Sequence, residues 1–590
     1  MRRRSFIATL PATLATLAAT NAFAQSREAN PNRDRRDVSF GDRVDGATFA
    51  SRSAVWGIHG AAATSQPLAT LAAIEILKAG GSAIDAAIAA NASLGFLEPT
   101  ANGIGGDCFV MLWDPKTRKV IGLNGSGRSP ANLTLDIQRK RAKNGHIAAY
   151  GATAVSVPGC VDAWWQLHQR YGKLPWKQLF GPAITYAEEG APVAQTVAYY
   201  INASFKRFTD PATGIEEVEN FRKIWAPEGR TPKEGEVFRN PALARTLGLI
   251  AKEGRDAFYK GEIADTIERY FKRIGGWMTK TDLAAHTAEW TQPIVTNYRG
   301  VDVYGLAPNT QGLTTLQMLN IMETFDLQKM GFQSPALIHH CVEAKRLAFE
   351  DRARYFADPD FVKTPIEWLN SKDYARQRAK LIRPDSILTP VHAGQAPSHG
   401  DTTYFCTADA SGMMVSMIQS NYRGMGGGLM PDGLGFMFQD RGELFSLTDG
   451  HPNVYAPRKR PFQTIIPGFA VKNGEPWLAF GVMGGDMQPQ GQAQVISNFV
   501  DFGLAVQEAG DSPRWHHEGS SEPTGEAQDG VGVLRVETGI PGNTQKALAG
   551  LGWKLGASDG GFGRYQAIER WPGRYAAAAD PRADGAALAY

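Results

Sequence analysis

Residues 399–420 read H-G-D-T-T-Y-F-C-T-A-D-A-S-G-M-M-V-S-M-I-Q-S, and the reading of this stretch decides how the rest of the chain is understood. Tyr404 to Ala408 is aromatic and β-branched enough for a strand. Asp409-Ala410-Ser411-Gly412 is a tight turn, and Met413 to Ser420 is a second apolar strand. The turn folds the second strand back so that Thr402 lies opposite Gln419 or Ser420. Chemistry enters at Asp401-Thr402-Thr403. A threonine hydroxyl is a weak nucleophile unaided, yet an α-amine, which titrates near ~8, can take its proton at neutral pH. Cleavage of the backbone before Thr402 would therefore place nucleophile and base on one residue. Taken alone, Asp-Thr-Thr reads more simply as an ordinary strand start, so the remaining motifs must decide.

The N-terminus is a targeting segment. Arg2 to Arg4 supply positive charge, Ile7 to Ala19 a short apolar run, and Ala22-Phe23-Ala24 a small-residue cleavage site before Gln25. Arg3-Arg4-Ser5-Phe6-Ile7 also has the pattern of a twin-arginine export signal. Pro11 interrupts the run, which is too short for a membrane anchor. Residues 1–24 thus read as an export signal, and a periplasmic or secreted location follows. Removing them takes the formal charge from +3 to zero, which leaves no basic surplus for nucleic acid, and no later segment is apolar enough to span a bilayer. The 590 residues are 43% hydrophobic and 21% charged, an ordinary globular balance. Cys108, Cys160, Cys341 and Cys406 match neither a disulfide framework nor a metal cluster and read as small buried hydrophobes.

Residues 25–50 read as a loosely held arm. Leu68 to Lys78 and Ala83 to Leu97 are helices by period, divided by Gly80-Gly81. The run Glu98-Pro99-Thr100-Ala101-Asn102-Gly103-Ile104-Gly105-Gly106-Asp107 leads into a strand over 108–113 rather than a helix, so it is a close-packed turn and not a phosphate cradle. Residues 155–290 are mainly helical, with stops at Gly172, Gly190 and Gly275-Gly276. Tyr298 to Leu306 is expected as one strand, Thr314 to Asp326 and Ala336 to Phe356 as helices, and 360–398 as a surface connection. Further strands are expected over 461–467 and 477–480, then a helix from Gln492, with an Ala-rich tail of little consequence after Tyr575. Consecutive His339-His340-Cys341 point in different directions on a helix and make no metal site, and His516-His517-Glu518 is judged alike. Gly481-Val482-Met483-Gly484-Gly485-Asp486, before a helix, offers backbone N–H groups suited to an oxyanion, or is simply a tight strand-to-helix turn.

Several stretches together resemble the γ-glutamyltransferase (glutathione hydrolase) family of N-terminal-nucleophile hydrolases. They are Gly80 to Ala87, Gly103 to Gly106, Val157-Pro158-Gly159, Asp282-Leu283, Tyr298-Arg299-Gly300, Asp358-Pro359-Asp360-Phe361, Thr402-Thr403, Pro457 to Pro461 and Gly484-Gly485, in the family's order across roughly 55–570. The resemblance implies an α+β, four-layer αββα sandwich and a proenzyme cut before Thr402. The products would be a large chain (25–401) and a small chain (402–590) that stay together. It implies that Thr402 is the nucleophile through an acyl-enzyme, that Ser420 replaces a threonine hydrogen-bonded to it, and that Gly484 and Gly485 form the oxyanion hole.

The chain departs from the family where the γ-glutamyl group is gripped. Ser126 stands at the position of a carboxylate-binding arginine, with Arg128 two residues nearer Pro130. Leu444 replaces an acidic residue beside Glu443, Gln463-Thr464 replace a serine pair, and Tyr422, next to Asn421, replaces an asparagine. The expected activity is hydrolysis, more than transpeptidation, of γ-glutamyl amides such as glutathione. The alternative is an acylase for another small acyl amide, with Arg128 or Arg441 meeting its carboxylate; a non-catalytic exported binding protein stands third. No metal or organic cofactor is signalled.

Overall fold

The computed structural model describes residues 51–391, 401–525 and 530–590, and the backbone alone at 38–39, 42–43 and 401–402. The export signal and most of the arm lie outside the described residues. The chain divides into a unit over 1–46, in which Val38–Ser39 pairs antiparallel with Asp42–Arg43, and a unit over 47–590 that carries everything below.

Two seven-stranded antiparallel sheets form the centre of the larger unit. The first runs Ala586–Ala589, Gly60–Thr64, Asp401–Asp409, Met414–Tyr422, Asp107–Asp114, Lys119–Gly125 and Glu289–Thr291. The second runs Ile294–Tyr298, Val301–Gly305, Gly468–Lys472, Glu475–Val482, Tyr565–Trp571, Arg574–Ala579 and Val55–Gly57. Alternation along each strand sets the layers. Tyr404, Cys406 and Ala408 turn to the inter-sheet core with Phe109, Met111, Phe469 and Ala479. Phe405, Val415 and Met417 turn outward onto the helix Ala83–Leu97. On the far side, Val301, Val303, Leu478 and Phe480 pack against the helices Gly312–Met322, Pro335–Tyr355 and Met487–Val500. The result is the αββα sandwich. Each fully buried Phe, Leu or Met on these faces contributes about 1.5–3 kcal/mol.

Local sequence explains the close fit. Ser82 and Asp85 cap Ala83–Leu97 reciprocally, and its alanines let it lie flat on the first sheet. Gly481 has no side chain because a Cβ there would meet the Tyr404 ring at 2.4 Å, where the two sheets touch. The four cysteines are buried and free. Gly172, Gly190 and Gly275 end helices as expected.

Four expectations need correction. The strand expected over 298–306 is present but begins only at Val301, as the second arm of a hairpin with Ile294–Tyr298, because Arg299 and Gly300 take φ of 49° and 87°, a turn that reverses the chain. Residues 461–467 form no strand; a single bridge joins Thr310 to Gln463, and the prolines at both ends offer no ladder N–H. The helix expected from Gln492 begins at Met487, since Pro489 sits in the first turn, where its missing N–H costs nothing. The Ala-rich tail supplies a strand to each sheet, Arg574–Ala579 and Ala586–Ala589; small side chains suit strands buried this tightly. Its composition concealed that role.

Candidate active site

The two strands of the 401–422 hairpin pair from Ala408↔Met414 through Thr403↔Gln419, and then the register shifts to Asp401↔Tyr422. One residue, Thr402, therefore faces two, Ser420 and Asn421, across a bulge. Of the two partners expected for Thr402, Ser420 is the one on this register. The next strand adds Asp107, the Cα partner of Ser420. Ser420 Oγ accepts the Tyr422 N–H at 2.8 Å, and Tyr422 takes φ of 77° to continue the chain away from the sheet.

The Gly-rich run before Asp107 fixes this corner, as a close-packed turn should. Thr403 Oγ1 donates to Glu98 Oε2 at 2.7 Å and accepts from Asn102 Nδ2 at 3.1 Å. Gln419 is held at both ends of its amide by Gly103. A Cβ on Gly106 would lie 2.3 Å from the Ser420 carbonyl oxygen, so only glycine fits there. Arg564 Nη1 binds Glu98, and the Arg564 carbonyl accepts the Met483 N–H at 2.9 Å. The anchor of Thr403 is thereby joined to the turn carrying Gly484 and Gly485.

That turn has φ of 107° at Gly484 and 57° at Gly485 and opens the helix Met487–Val500. Its position depends on residues that no local motif singles out. Gln311 Nε2 donates to the carbonyls of Gly485 (3.0 Å) and Thr464 (2.6 Å). Arg352 Nη1 binds Gln311 Oε1 and Asp486 Oδ1, both at 2.6 Å, while Nη2 binds Glu522 at 2.6 Å. Burial pulls the Asp486 carboxyl up, but Arg352 overrides it and holds it at about 2. Arg352 lies in the last turn of the helix Pro335–Tyr355, and nothing in its local sequence shows that it faces another layer.

Asp107 is the other residue missed. Its Oδ1 accepts from the Gly127 N–H and its Oδ2 from Gln463 Nε2, each at 2.8 Å. Burial pushes its carboxyl up to about 6, against the pull of Gly127, Arg441 and Gln463. Its place directly after Gly105-Gly106, at the start of a strand, was the available signal.

The expected donor-site residues separate into two groups. Arg441 is wholly buried, donates from Nη1 to Thr464 Oγ1 at 2.6 Å and lies 4.5 Å from the centre of the Tyr422 ring. Gln463, Thr464 and Asn421 are beside it and also buried. Leu444 joins an apolar cluster with Tyr422, Phe462, Leu313 and Phe356. Glu443, pushed up by burial against the pull of Arg423, is paired with that arginine. Arg128 stands apart. Its guanidinium contacts Asp358 (3.2 Å), Asp360 (2.5 Å) and Glu289 (3.3 Å), acids it shares with Arg460. Ser126, at the arginine position, binds Asn124 and Asn309. No cluster of three or more His, Cys, Asp or Glu able to hold a metal occurs among the described residues.

An αββα sandwich whose internal threonine lies on a central strand, across from a serine that is itself the strand partner of a buried carboxyl, has the architecture of an N-terminal-nucleophile hydrolase. The model of the gamma-glutamyltranspeptidase family matches residues 69–590, and the chain belongs to that family. It is 36% identical over 526 residues to the Glutathione hydrolase-like YwrD proenzyme of Bacillus subtilis, covering 88% of this chain and 96% of that protein. It is 32% identical to the Glutathione hydrolase proenzyme of Escherichia coli, covering 89% and 90% respectively. The crystal structure of cephalosporin acylase from Bacillus halodurans superposes with a TM-score of 0.84 at 42% identity, covering 94% of this chain and 99% of that one. The protein is an amide hydrolase of this family.

Proposed function

We propose that the chain cuts itself between Asp401 and Thr402 and that Thr402 then hydrolyses a small acyl amide through an acyl-enzyme. The observation that carries this reading is the bulge that sets Thr402 against Ser420 and Asn421 on a central strand. In the proposed cycle the new α-amine takes the Thr402 hydroxyl proton and the oxygen attacks the amide carbonyl. The Gly484 and Gly485 N–H groups receive the oxyanion, and the amine leaves with the proton. Water, activated by the same α-amine, releases the acid. Ser420 orients the nucleophile. The relatives named proenzymes support processing into chains 25–401 and 402–590. No described helix is long and apolar enough to cross a membrane, which is compatible with export directed by residues 1–24.

The donor has two readings. γ-Glutamyl amides such as glutathione, hydrolysed more than transferred, are supported by the glutathione hydrolases among the relatives. An amide of another acyl group is favoured by Leu444, which joins a buried apolar cluster where an acid was expected. A denaturing gel with N-terminal sequencing tests the nucleophile. Two bands, the smaller beginning at Thr402, are expected, with a single band in Thr402→Ala; an uncut protein that is fully active would end the proposal, and an uncut inactive one would favour a retired scaffold. Turnover of γ-glutamyl-p-nitroanilide by processed protein supports the first donor, and its absence the second. The value of kcat/KM should rise with pH through a limb near ~8 or lower as the Thr402 amine loses its proton.

A further inference from the structure

Asn309, Thr310 and Gln311 stand consecutively just before the helix Gly312–Met322, and their side chains satisfy residues 461–465 in place of a strand partner. Asn309 Nδ2 donates to the Pro461 carbonyl at 2.7 Å, Thr310 Oγ1 to that of Ile465 at 2.9 Å, and Gln311 Nε2 to that of Thr464 at 2.6 Å. The Gln463 N–H returns to the Asn309 carbonyl at 2.8 Å. All three side chains are fully buried, so each contact stands where water cannot replace it.

Gln311 reaches further. Its Nε2 carries a second hydrogen, and the Gly485 carbonyl accepts from it at 3.0 Å. Its Oε1 accepts from Arg352 Nη1 at 2.6 Å. An arginine can only donate, so this contact fixes which end of the amide faces the two carbonyls. The Gly485 carbonyl also accepts the Gln488 N–H at 3.1 Å, and the Gly484 carbonyl accepts the Met487 N–H at 2.9 Å. Because the peptide is planar and trans, the Gly485 N–H points opposite to the Gly484 carbonyl, away from the helix. Both glycines have positive φ and no side chain to restrain them, so their backbone needs an outside hold. Gln311 and Arg352 precede position 402, whereas Thr464, Gly485 and Asp486 follow it. In processed protein the hold is therefore made across two chains.

We propose that Gln311 is a positioning residue for turnover: its amide, oriented by Arg352, holds the Gly485 peptide so that the N–H groups of the turn meet the developing oxyanion. This rests on the reading of Gly484 and Gly485 as the oxyanion donors. An interaction that acts where charge develops lowers the barrier rather than strengthening substrate binding, so its loss falls on kcat and spares KM.

The test compares the wild type with Gln311→Glu and Gln311→Met on γ-L-glutamyl- and glutaryl-p-nitroanilide, with rates normalised to the amount of chain beginning at Thr402. Glutamate keeps an oxygen for Arg352 but sets its other oxygen against two carbonyls; methionine keeps the length and offers no donor. The value of kcat should fall about 10- to 100-fold in Gln311→Met and further in Gln311→Glu, with KM within about threefold. Hydrogen exchange over residues 482–490 should quicken about 10-fold or more in both variants while the two sheets stay protected, a readout that needs no substrate. A kcat within about threefold of wild type, or a loss carried by KM, would overturn the proposal. Faster exchange with unaltered kcat would mean that Gly484 and Gly485 are not the oxyanion donors. Unaltered exchange with unaltered kcat would remove Gln311 and leave the glycines standing. Where neither donor is turned over, unaltered exchange alone overturns it. Exchange that quickens throughout the sheets would mark Gln311 as structural only and overturn it as well.

Discussion

Arg128 and Arg441 were equal candidates for one task, and the molecule treats them in opposite ways. Arg128 lies where the loop after Lys119–Gly125 meets the Asp358-Pro359-Asp360 and Pro457–Pro461 stretches, with its side chain 29% exposed and three carboxylates around it. Two family motifs converge there with that loop on an ion cluster that ties the three together. Arg441 is sealed from solvent; its guanidinium donates to one hydroxyl and lies on one aromatic face, feels the charge of Asp107, Asp440 and Glu443, and has an Nη2 without a hydrogen-bond acceptor among the described residues. Proximity in sequence to an expected binding position identified the first. What sets the second apart is unfilled valence, which is a property of the folded surroundings.

Substitutions can break or sharpen that contrast. The largest effect should come from Arg352→Leu, at a buried arginine whose carboxylates are in place. Removing one partner leaves Asp486 and Glu522 uncompensated, at about 3–5 kcal/mol of stability. A large fall in Tm is the expected measurement, and a change of a degree or less would mean that partnered and unpartnered arginines are not distinguished here.

Asp107→Asn comes next. Burial pushes the carboxyl up to about 6 from its ordinary 3.8, so the folded state binds its proton more tightly. That contribution favours the fold fully below the unfolded pKa and is lost as pH rises through 6, a change on the order of 3 kcal/mol. The Asn variant should therefore lose much of the wild type's decline in unfolding free energy between pH 4 and 7, as followed by denaturant titration. Parallel curves for the two proteins would remove Asp107 as the titrating group beside Arg441.

Gly106→Ala should be costly too, at about 1–3 kcal/mol, because the added methyl meets the Ser420 carbonyl; slower formation of the Thr402 terminus on a gel should accompany it. The smallest effect is expected from Arg128→Gln. Its partly exposed ion pairs should contribute about 1 kcal/mol or less, and turnover should stay within about threefold of wild type. A collapse of turnover in this variant would invert the comparison.

Much of this was legible along the chain. The hairpin, its turn, the helices at 67–78, 83–97 and 335–355, and the glycine stops are local: side-chain period, capping residues and turn chemistry fix them within a few residues. The tail strands, the turn at Arg299-Gly300 and the irregular 461–467 segment were not legible, because their conformations answer to neighbours far away in sequence. Gln311 and Arg352 belong to the same class.

The order of residues alone determined that a threonine begins a buried strand, with a hydroxyl returning beside it one hairpin later. Those facts depend on neighbours within some twenty positions, over which backbone geometry is short-ranged. Only the tertiary structure decided that Asp107 completes the row, that Arg352 and Gln311 hold the diglycine turn, and that Arg441 rather than Arg128 keeps donors to spare. Burial and hydrogen-bond satisfaction are set by groups hundreds of residues apart, and no linear pattern records which of them arrive first.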